Sequence, residues 1–73
     1  MDKITRVLLL FYRLSRGEWI SKANFSLEYG ITGRTFDRDI EDIRLFLSEL
    51  YTSSELIFDR KTNSYYISNL FGK

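Results

Sequence analysis

The sequence predicts an α+β fold of three helices followed by an antiparallel β-hairpin, with a short additional strand before the second helix. Two observations lead to this prediction. Apolar residues recur at helical spacing over the first fifty positions, and two alternating segments rich in strand-forming residues lie near the end. Because the chain has 73 residues, we expect one domain, residues 1–73.

The first helix is predicted over residues 3–15, where apolar side chains recur every three or four positions. We expect it to end near Gly17, since glycine readily adopts the left-handed conformation that closes helices. Trp19 and Ile20 favour extended backbone and predict a short strand. The expected buried stripe of the helix is Ile4, Val7, Leu8, Phe11 and Leu14, widened by Leu9 and Leu10.

Two further helices are predicted on either side of a tight turn. Ser21 is a suitable N-cap for a helix that runs to Tyr29 and stops at Gly30. Thr32 is the N-cap of the next helix, which is expected over residues 33–51. That helix has the clearest amphipathic pattern in the chain, and its expected core-facing stripe is Phe36, Ile40, Ile43, Leu47 and Leu50.

The end of the chain has the pattern of a β-hairpin. The segments ELIFD (55–59) and SYYIS (64–68) alternate and are rich in strand formers. The polar loop Arg60–Asn63 between them has hairpin length, and asparagine tolerates the left-handed conformation that such loops often need. The strand at Trp19–Ile20 can pair with this hairpin to give a sheet of three strands.

This order of elements is that of a winged helix-turn-helix domain, with the helix-turn-helix at about 21–51 and the wing at about 55–68. The chain has no cysteine and no histidine, which removes disulfides, thiolate metal sites and the commonest general base. We therefore expect a protein that is not an enzyme and has no cofactor or metal. The apolar run Val7–Phe11 is too short for a signal peptide or a membrane span, so a cytoplasmic location is expected.

Two arginines are predicted to point away from the core on the third helix. At about 100° per residue, Arg34 and Arg38 each lie about 160° from Phe36, on opposite sides. They belong to the first turns, where a recognition helix in the major groove touches bases. An arginine can bind a guanine edge with two hydrogen bonds or clamp a phosphate. Thr35, to one side, can add a hydroxyl or methyl contact.

Charge in this segment also allows a different interpretation. The formal net charge is only +1, and an exposed Arg38 can simply pair with neighbouring acids. Asp39 points about 60° from the core centre, so we expect it to pair internally. Asp37 lies near the proposed contact surface and would repel phosphate unless it accepts a hydrogen bond from a cytosine amino group. The acids of the segment are Asp37, Asp39, Glu41 and Asp42.

Two other positions fit a duplex-binding hypothesis. Ser21 and Lys22 begin the second helix, whose N-terminus is a natural phosphate site. Arg60 and Lys61 lie at the expected hairpin tip, where a wing meets the DNA backbone or minor groove. Basic residues at a hairpin tip more often serve only to keep a protein soluble. These positions therefore support DNA binding only in combination with the helix-turn-helix order of elements.

The stretch RGEWISKANFSLEYGITGRTFDRDIEDI (16–43) resembles the N-terminal winged helix-turn-helix of DeoR-like bacterial regulators, especially those that carry a C-terminal WYL domain. LEYGIT and RTFDRDIEDI carry the resemblance, and FDRKTNSYYI is similar to the wing. The resemblance covers nearly the whole chain. It implies sequence-specific binding of double-stranded DNA by a dimeric repressor or activator in the bacterial nucleoid. The DNA-reading residues that it implies are Thr32, Arg34, Thr35 and Arg38.

The chain departs from the family pattern at two positions. Basic or polar residues often stand where this chain has Gly33 and Asp37, so two potential phosphate contacts are lost. Affinity or site preference is therefore expected to differ from that of a typical member. The complete predicted DNA-binding set is Ser21, Lys22, Thr32, Gly33, Arg34, Thr35, Asp37, Arg38, Arg60 and Lys61.

The partners that we expect are double-stranded DNA and a second copy of the chain, joined on DNA or through a C-terminal domain absent from this sequence. The chain stops two residues after the apolar Leu70–Phe71, which favours a fragment of a larger regulator over a stand-alone protein of a phage or mobile element. An exposed Leu45 opposite the core stripe can mark a contact with another subunit or with the absent domain, and isolated exposed leucines are also common. The alternative function is that of a winged-helix module that binds another protein, and no membrane partner is expected.

Overall fold

A computed structural model gives the structure of the protein and describes residues 1–50 and 53–69. This part of the chain confirms the predicted α+β class, because three helices pack with a three-stranded antiparallel sheet. The arrangement is consistent with a winged helix-like fold. The elements are α1 (Lys3–Ser15), β1 (Ile20–Ser21), α2 (Lys22–Tyr29), α3 (Gly33–Glu49), β2 (Glu55–Asp59) and β3 (Ser64–Ser68).

Side-chain caps explain where the helices begin. The Ser21 hydroxyl accepts a hydrogen bond from the amide of Asn24 at 3.1 Å, and Thr32 accepts one from Thr35 at the same distance. Each satisfies an amide that has no partner within its helix. Gly30 ends α2 in the left-handed conformation, with φ of 64°. The predicted caps of α2 and α3 are thereby confirmed.

The sheet has the strand order β1-β3-β2, and both pairings are antiparallel. The register places Leu56 opposite Ile67 and Phe58 opposite Tyr65, which sets one face of the hairpin against the helices. The predicted third strand is present but shifted by one residue, to Ile20–Ser21. Asn63 has φ of 53° in the hairpin loop, as expected for a residue that tolerates this conformation.

The core lies between the three helices and the inner face of the sheet. Phe25 of α2 and Phe36 of α3 are its largest fully buried side chains, and their ring centroids are 5.6 Å apart. Full burial of a large apolar side chain contributes about 1.5–3 kcal/mol. The buried apolar residues are Leu10, Leu14, Ile20, Phe25, Phe36, Ile40, Ile43, Leu47, Leu56 and Ile67.

The predicted buried stripe of α1 is wrong at two positions. Ile4 is 73% exposed and Leu8 is 62% exposed, whereas Leu10 and Leu14 are fully buried. The apolar run at residues 7–11 fits more than one face of a helix, so its spacing alone does not define the buried side.

The predicted core-facing stripe of α3 is buried except at its last residue, Leu50. Leu50 is 46% exposed because α3 ends at Glu49 and Leu50 is its C-cap. The predicted helix end at Tyr51 lies outside the described residues.

Among the residues that the structure describes, no helix has both the length and the apolar character needed to cross a membrane.

Candidate nucleic-acid interface

The helix-turn-helix places the first turns of α3 at the surface. The turn Gly30–Thr32 joins α2 to α3, and the two helices pack through Phe25 and Phe36. Ile40, one turn after Phe36, is also buried. Because these residues hold one side of α3 against the core, its opposite side faces outward along the whole helix.

Arg34 and Arg38 lie on this outward side, as their positions opposite Phe36 predict. Both side chains are exposed, and they line a shallow groove together with Asp37 and Glu41. Within residues 1–50 and 53–69, neither guanidinium has a hydrogen-bonding or ionic partner. The predicted pairing of Arg38 with a nearby acid is therefore not observed in the described part of the chain.

Three exposed acids of α3 are paired with basic side chains. Asp37 contacts Lys22 at 3.3 Å, Asp42 contacts Lys3 at 3.3 Å, and Glu41 contacts Arg44 at 3.3 Å. These three pairs are exposed, so each contributes little to stability, but each reduces the negative charge at the surface of the helix. Once these pairs are counted, Arg34 and Arg38 are the charged side chains of the groove that have no ionic partner among the described residues.

Asp39 is the buried acid of α3, and its pairing partner is Arg6 of α1. The guanidinium donates two hydrogen bonds to the carboxylate, from Nε at 2.5 Å and from Nη2 at 3.0 Å. The hydrogen bond to Asp39 raises the pKa of Arg6 above its ordinary value. The prediction that Asp39 pairs internally is confirmed, and the pair attaches the first half of α3 to α1.

Lys22, Gly33 and Asp37, three residues of the predicted site, are brought together where α2 meets α3. The Lys22 amine pairs with Asp37, and the two side chains are 47% and 51% exposed. A side-chain Cβ at Gly33 would lie 3.5 Å from Cε of Lys22, which is an ordinary van der Waals distance. Lys22 is thus held across the start of α3 by a weak ion pair that a phosphate can replace.

The hydroxyls of the predicted site have structural partners. Ser21 and Thr32 cap α2 and α3, and the Thr35 hydroxyl lies 3.1 Å from that of Thr32. The Ser21 hydroxyl accepts from the backbone and can still donate its proton to a phosphate oxygen, whereas the Thr32 hydroxyl donates its proton to that of Thr35. These residues therefore fix the helix starts and leave Arg34 and Arg38 as the long groups that can reach bases.

The hairpin loop presents Arg60 and Lys61 to solvent. The Asp59 carboxylate accepts hydrogen bonds from the amide of Thr62 at 2.9 Å and from its hydroxyl at 2.8 Å, which fixes the loop. No ion pair involves Arg60 or Lys61 among the described residues. The loop end of the hairpin and the start of α2 line a common groove, formed by Ser21, Lys22, Ala23, Phe58, Asn63 and Tyr65.

The sequence alone does not identify most of the basic residues that pair with the acids of α3. The pair of Glu41 and Arg44 is three residues apart, so helical spacing signals it. Arg6 and Asp39 are 33 positions apart in the sequence, and only the packing of α1 on α3 brings them together.

Comparisons with protein-family models, with curated proteins and with solved structures find no match for this chain.

Proposed function

We propose that this chain is the DNA-binding domain of a bacterial transcriptional regulator of the DeoR-like, WYL-associated type. The first turns of α3 enter the major groove, and the hairpin acts as a wing on the DNA backbone or in the minor groove. The domain binds a specific double-stranded sequence, has no catalytic role, and works in the cytoplasm at the nucleoid.

One observation carries this proposal: Arg34 and Arg38 have no partner among the described residues, while the acids around them are paired. Two exposed guanidinium groups without ion-pair partners among the described residues are open to an anionic ligand, which can replace the water around them. The edge of a guanine or two phosphate groups can accept their hydrogen bonds. The arrangement therefore suits a polyanion better than a neutral partner.

The spacing of the two arginines supports the same ligand. Four residues along an α-helix correspond to a rise of about 6 Å. Successive phosphates of one DNA strand follow at about 3.4 Å along the helix axis. Arg34 and Arg38 can therefore contact positions about two base steps apart, as expected for a recognition helix that lies along the groove.

A small set of cations limits the affinity of one copy. Each phosphate that a cation neutralises contributes about −0.9 to the slope of log K against log salt concentration. If every cation of the site contacts a phosphate, we expect a slope of about −4 to −5 for one copy, and a lower value if the arginines bind bases. The cations concerned are Lys22, Arg34, Arg38, Arg60 and Lys61.

Selection from a random duplex library, followed by a salt titration, tests the proposed function. We expect the selected duplexes to share a motif and to bind by fluorescence anisotropy with affinity that falls steeply between 50 and 200 mM salt, about the range where phosphate contacts are screened. An unselected duplex of equal length is the control for sequence preference. Failure to enrich any motif, with no salt-dependent binding to either duplex, would contradict the proposal and favour a protein-binding role.

A further inference from the structure

Two lysines flank α3, and each pairs with an acid of that helix. Lys22 of α2 contacts Asp37 at 3.3 Å, and Lys3 of α1 contacts Asp42 at 3.3 Å. The side chains of Lys3 and Lys22 are 65% and 47% exposed, so both amines are open to a ligand. Lys22 belongs to the site predicted from the sequence, whereas Lys3 does not, because α1 precedes the helix-turn-helix.

The two lysines lie on opposite sides of the outward face of α3. At about 100° per residue, Asp37 lies about 100° from Phe36 on one side, and Asp42 lies about 120° from it on the other. The packing agrees with these angles, since Asp39, on the same side as Asp42, pairs with Arg6 of α1. The exposed arginines of the groove lie between these two sides. The first half of α3 therefore has cations at the centre of its outward face and at both flanks.

Lys3 belongs to the same surface as the two arginines. An ammonium group carries three N–H donors, so Lys3 can keep Asp42 as its partner and still donate to a phosphate oxygen. The contact with Asp42 thus holds the amine beside α3 and leaves donors for a ligand. The residues that line the shallow groove together with Lys3 are Arg34, Asp37, Arg38, Glu41 and Asp42.

Two other acids belong to the surroundings of Lys3. Asp2 precedes it in the chain, and the Asp2 carboxylate accepts a hydrogen bond from the amide of Thr5 at 2.8 Å. Glu41 lines the same groove and pairs with Arg44 at 3.3 Å. Because these acids weaken the positive potential around Lys3, we expect it to act by direct contact with a phosphate and not by long-range attraction.

The two flanks match the borders of a DNA major groove, an argument that rests on the proposed function. An α-helix with its side chains is about 10–12 Å across, and the major groove is about 12 Å wide. A helix that enters this groove therefore fills it, and cations on its two flanks adjoin the phosphates of the two strands that border the groove. A single strand has one backbone and cannot meet both flanks in this way.

We propose that Lys3 binds a phosphate of one DNA strand while Lys22 binds a phosphate of the other, so that α3 is held between the two backbones of the major groove. Lys3 then adds a cation of α1 to those of the predicted site. Its contact carries no sequence information, because every nucleotide has the same phosphate. The two lysines together make the interface selective for a duplex over a single strand.

Lys3→Gln tests whether α1 contributes a phosphate contact. With a selected duplex, we expect several-fold weaker binding at about 50 mM salt and a slope of log K against log salt concentration that is smaller in magnitude by about 0.9. Selection with the variant should return the same motif as the wild type. Arg16→Gln is the matched control, since Arg16 is exposed at the other end of α1, outside the groove. It should leave the affinity and the slope unchanged.

An Asp42→Asn background separates loss of the lysine from the effect of a freed carboxylate. Lys3→Gln removes the partner of Asp42, and an unpaired carboxylate next to DNA would weaken binding by itself. We therefore expect Lys3→Gln with Asp42→Asn to bind several-fold more weakly than Asp42→Asn alone. Circular dichroism should show an unchanged fold in each variant, because the pair is exposed.

Uncharged methylphosphonate linkages identify the strand that each lysine contacts. Two selected duplexes are prepared, each with such linkages beside the motif on one strand only. We expect Lys3→Gln to lose its effect on one of these duplexes and Lys22→Gln to lose its effect on the other. Loss of both effects on the same duplex would overturn the proposal, and so would a Lys3→Gln variant with the affinity and slope of the wild type. A wild type that binds no duplex would overturn the proposed function, and this inference with it.

Discussion

Arg6 and Asp39 form a buried, two-bonded ion pair that connects α1 to the first half of α3. The side chain of Asp39 is 1% exposed and that of Arg6 is 12% exposed. Asp39 directly follows Arg38 in the chain, so the pair fixes the rotation of α3 at the turn that carries the exposed arginines. Asp39 therefore faces inward and orients Arg34 and Arg38, which face outward.

Asp39→Asn is expected to destabilise the fold by about 3–5 kcal/mol, because removal of one partner leaves the Arg6 charge buried and unpaired. The free energy of unfolding from urea denaturation measures this cost. The matched control is Asp42→Asn, which breaks an exposed pair between the same two helices and should cost less than about 1 kcal/mol. Equal losses in the two variants would show that the buried pair does not hold α1 on α3.

Asp37→Asn is expected to tighten duplex binding several-fold at low salt. The substitution removes a negative charge next to the groove and frees Lys22, its partner at 3.3 Å, for phosphate. Fluorescence anisotropy at two salt concentrations measures the gain, which should shrink as salt rises. The control is Glu49→Gln, which removes one negative charge near the far end of the same helix. If both variants bind equally well, Asp37 is not at the interface.

The ion pair of Arg13 with Glu18 makes a small contribution to stability that depends on pH. The hydrogen bond from Arg13 lowers the pKa of Glu18 below the unfolded value of 4.5. A depressed folded pKa means that the contribution is complete above that value and is lost as pH falls through the folded pKa. The Glu18 side chain is 45% exposed, so solvent limits the contribution to less than about 1 kcal/mol.

Carboxyl NMR titration of wild type and Arg13→Met checks this assignment. We expect the pKa of Glu18 to rise towards 4.5 in the variant, since its donor is gone. Asp2 is an internal control: the Thr5 amide lowers its pKa, and that hydrogen bond is unaffected by the substitution. An unchanged Glu18 titration would contradict the role given to Arg13.

The element boundaries were predictable because their signals are local. Ser21 and Thr32 are capping residues followed by helical patterns, and Gly30 has the left-handed conformation that a helix end needs. The outward direction of Arg34 and Arg38 followed from the four-residue and three-residue spacing of the α3 core stripe. At these positions one element contains the information that the prediction needs.

The surroundings of the site depend on packing between distant segments and were not predictable in the same way. The predicted buried face of α1 is wrong at Ile4 and Leu8. The rotation of α1 is fixed by contacts with other helices, such as that of Arg6 with Asp39. Lys22 was predicted as a phosphate ligand and Asp37 as a residue near bases. They are 15 positions apart in the sequence, and the packing of α2 on α3 brings them together.

Duplex binding by Arg34→Ala with Arg38→Ala tests the central claim most directly. The control is Arg13→Ala with Arg16→Ala, which removes the same charge at the end of α1, outside the groove, and thermal melts establish that both variants fold. Each arginine bound to a base contributes about 1–3 kcal/mol, so we expect the affinity for a selected duplex to fall at least about thirtyfold in the first variant. The control should stay within a few-fold of wild type. Equal affinity of the two variants for that duplex would contradict the assignment of this face of α3 to DNA.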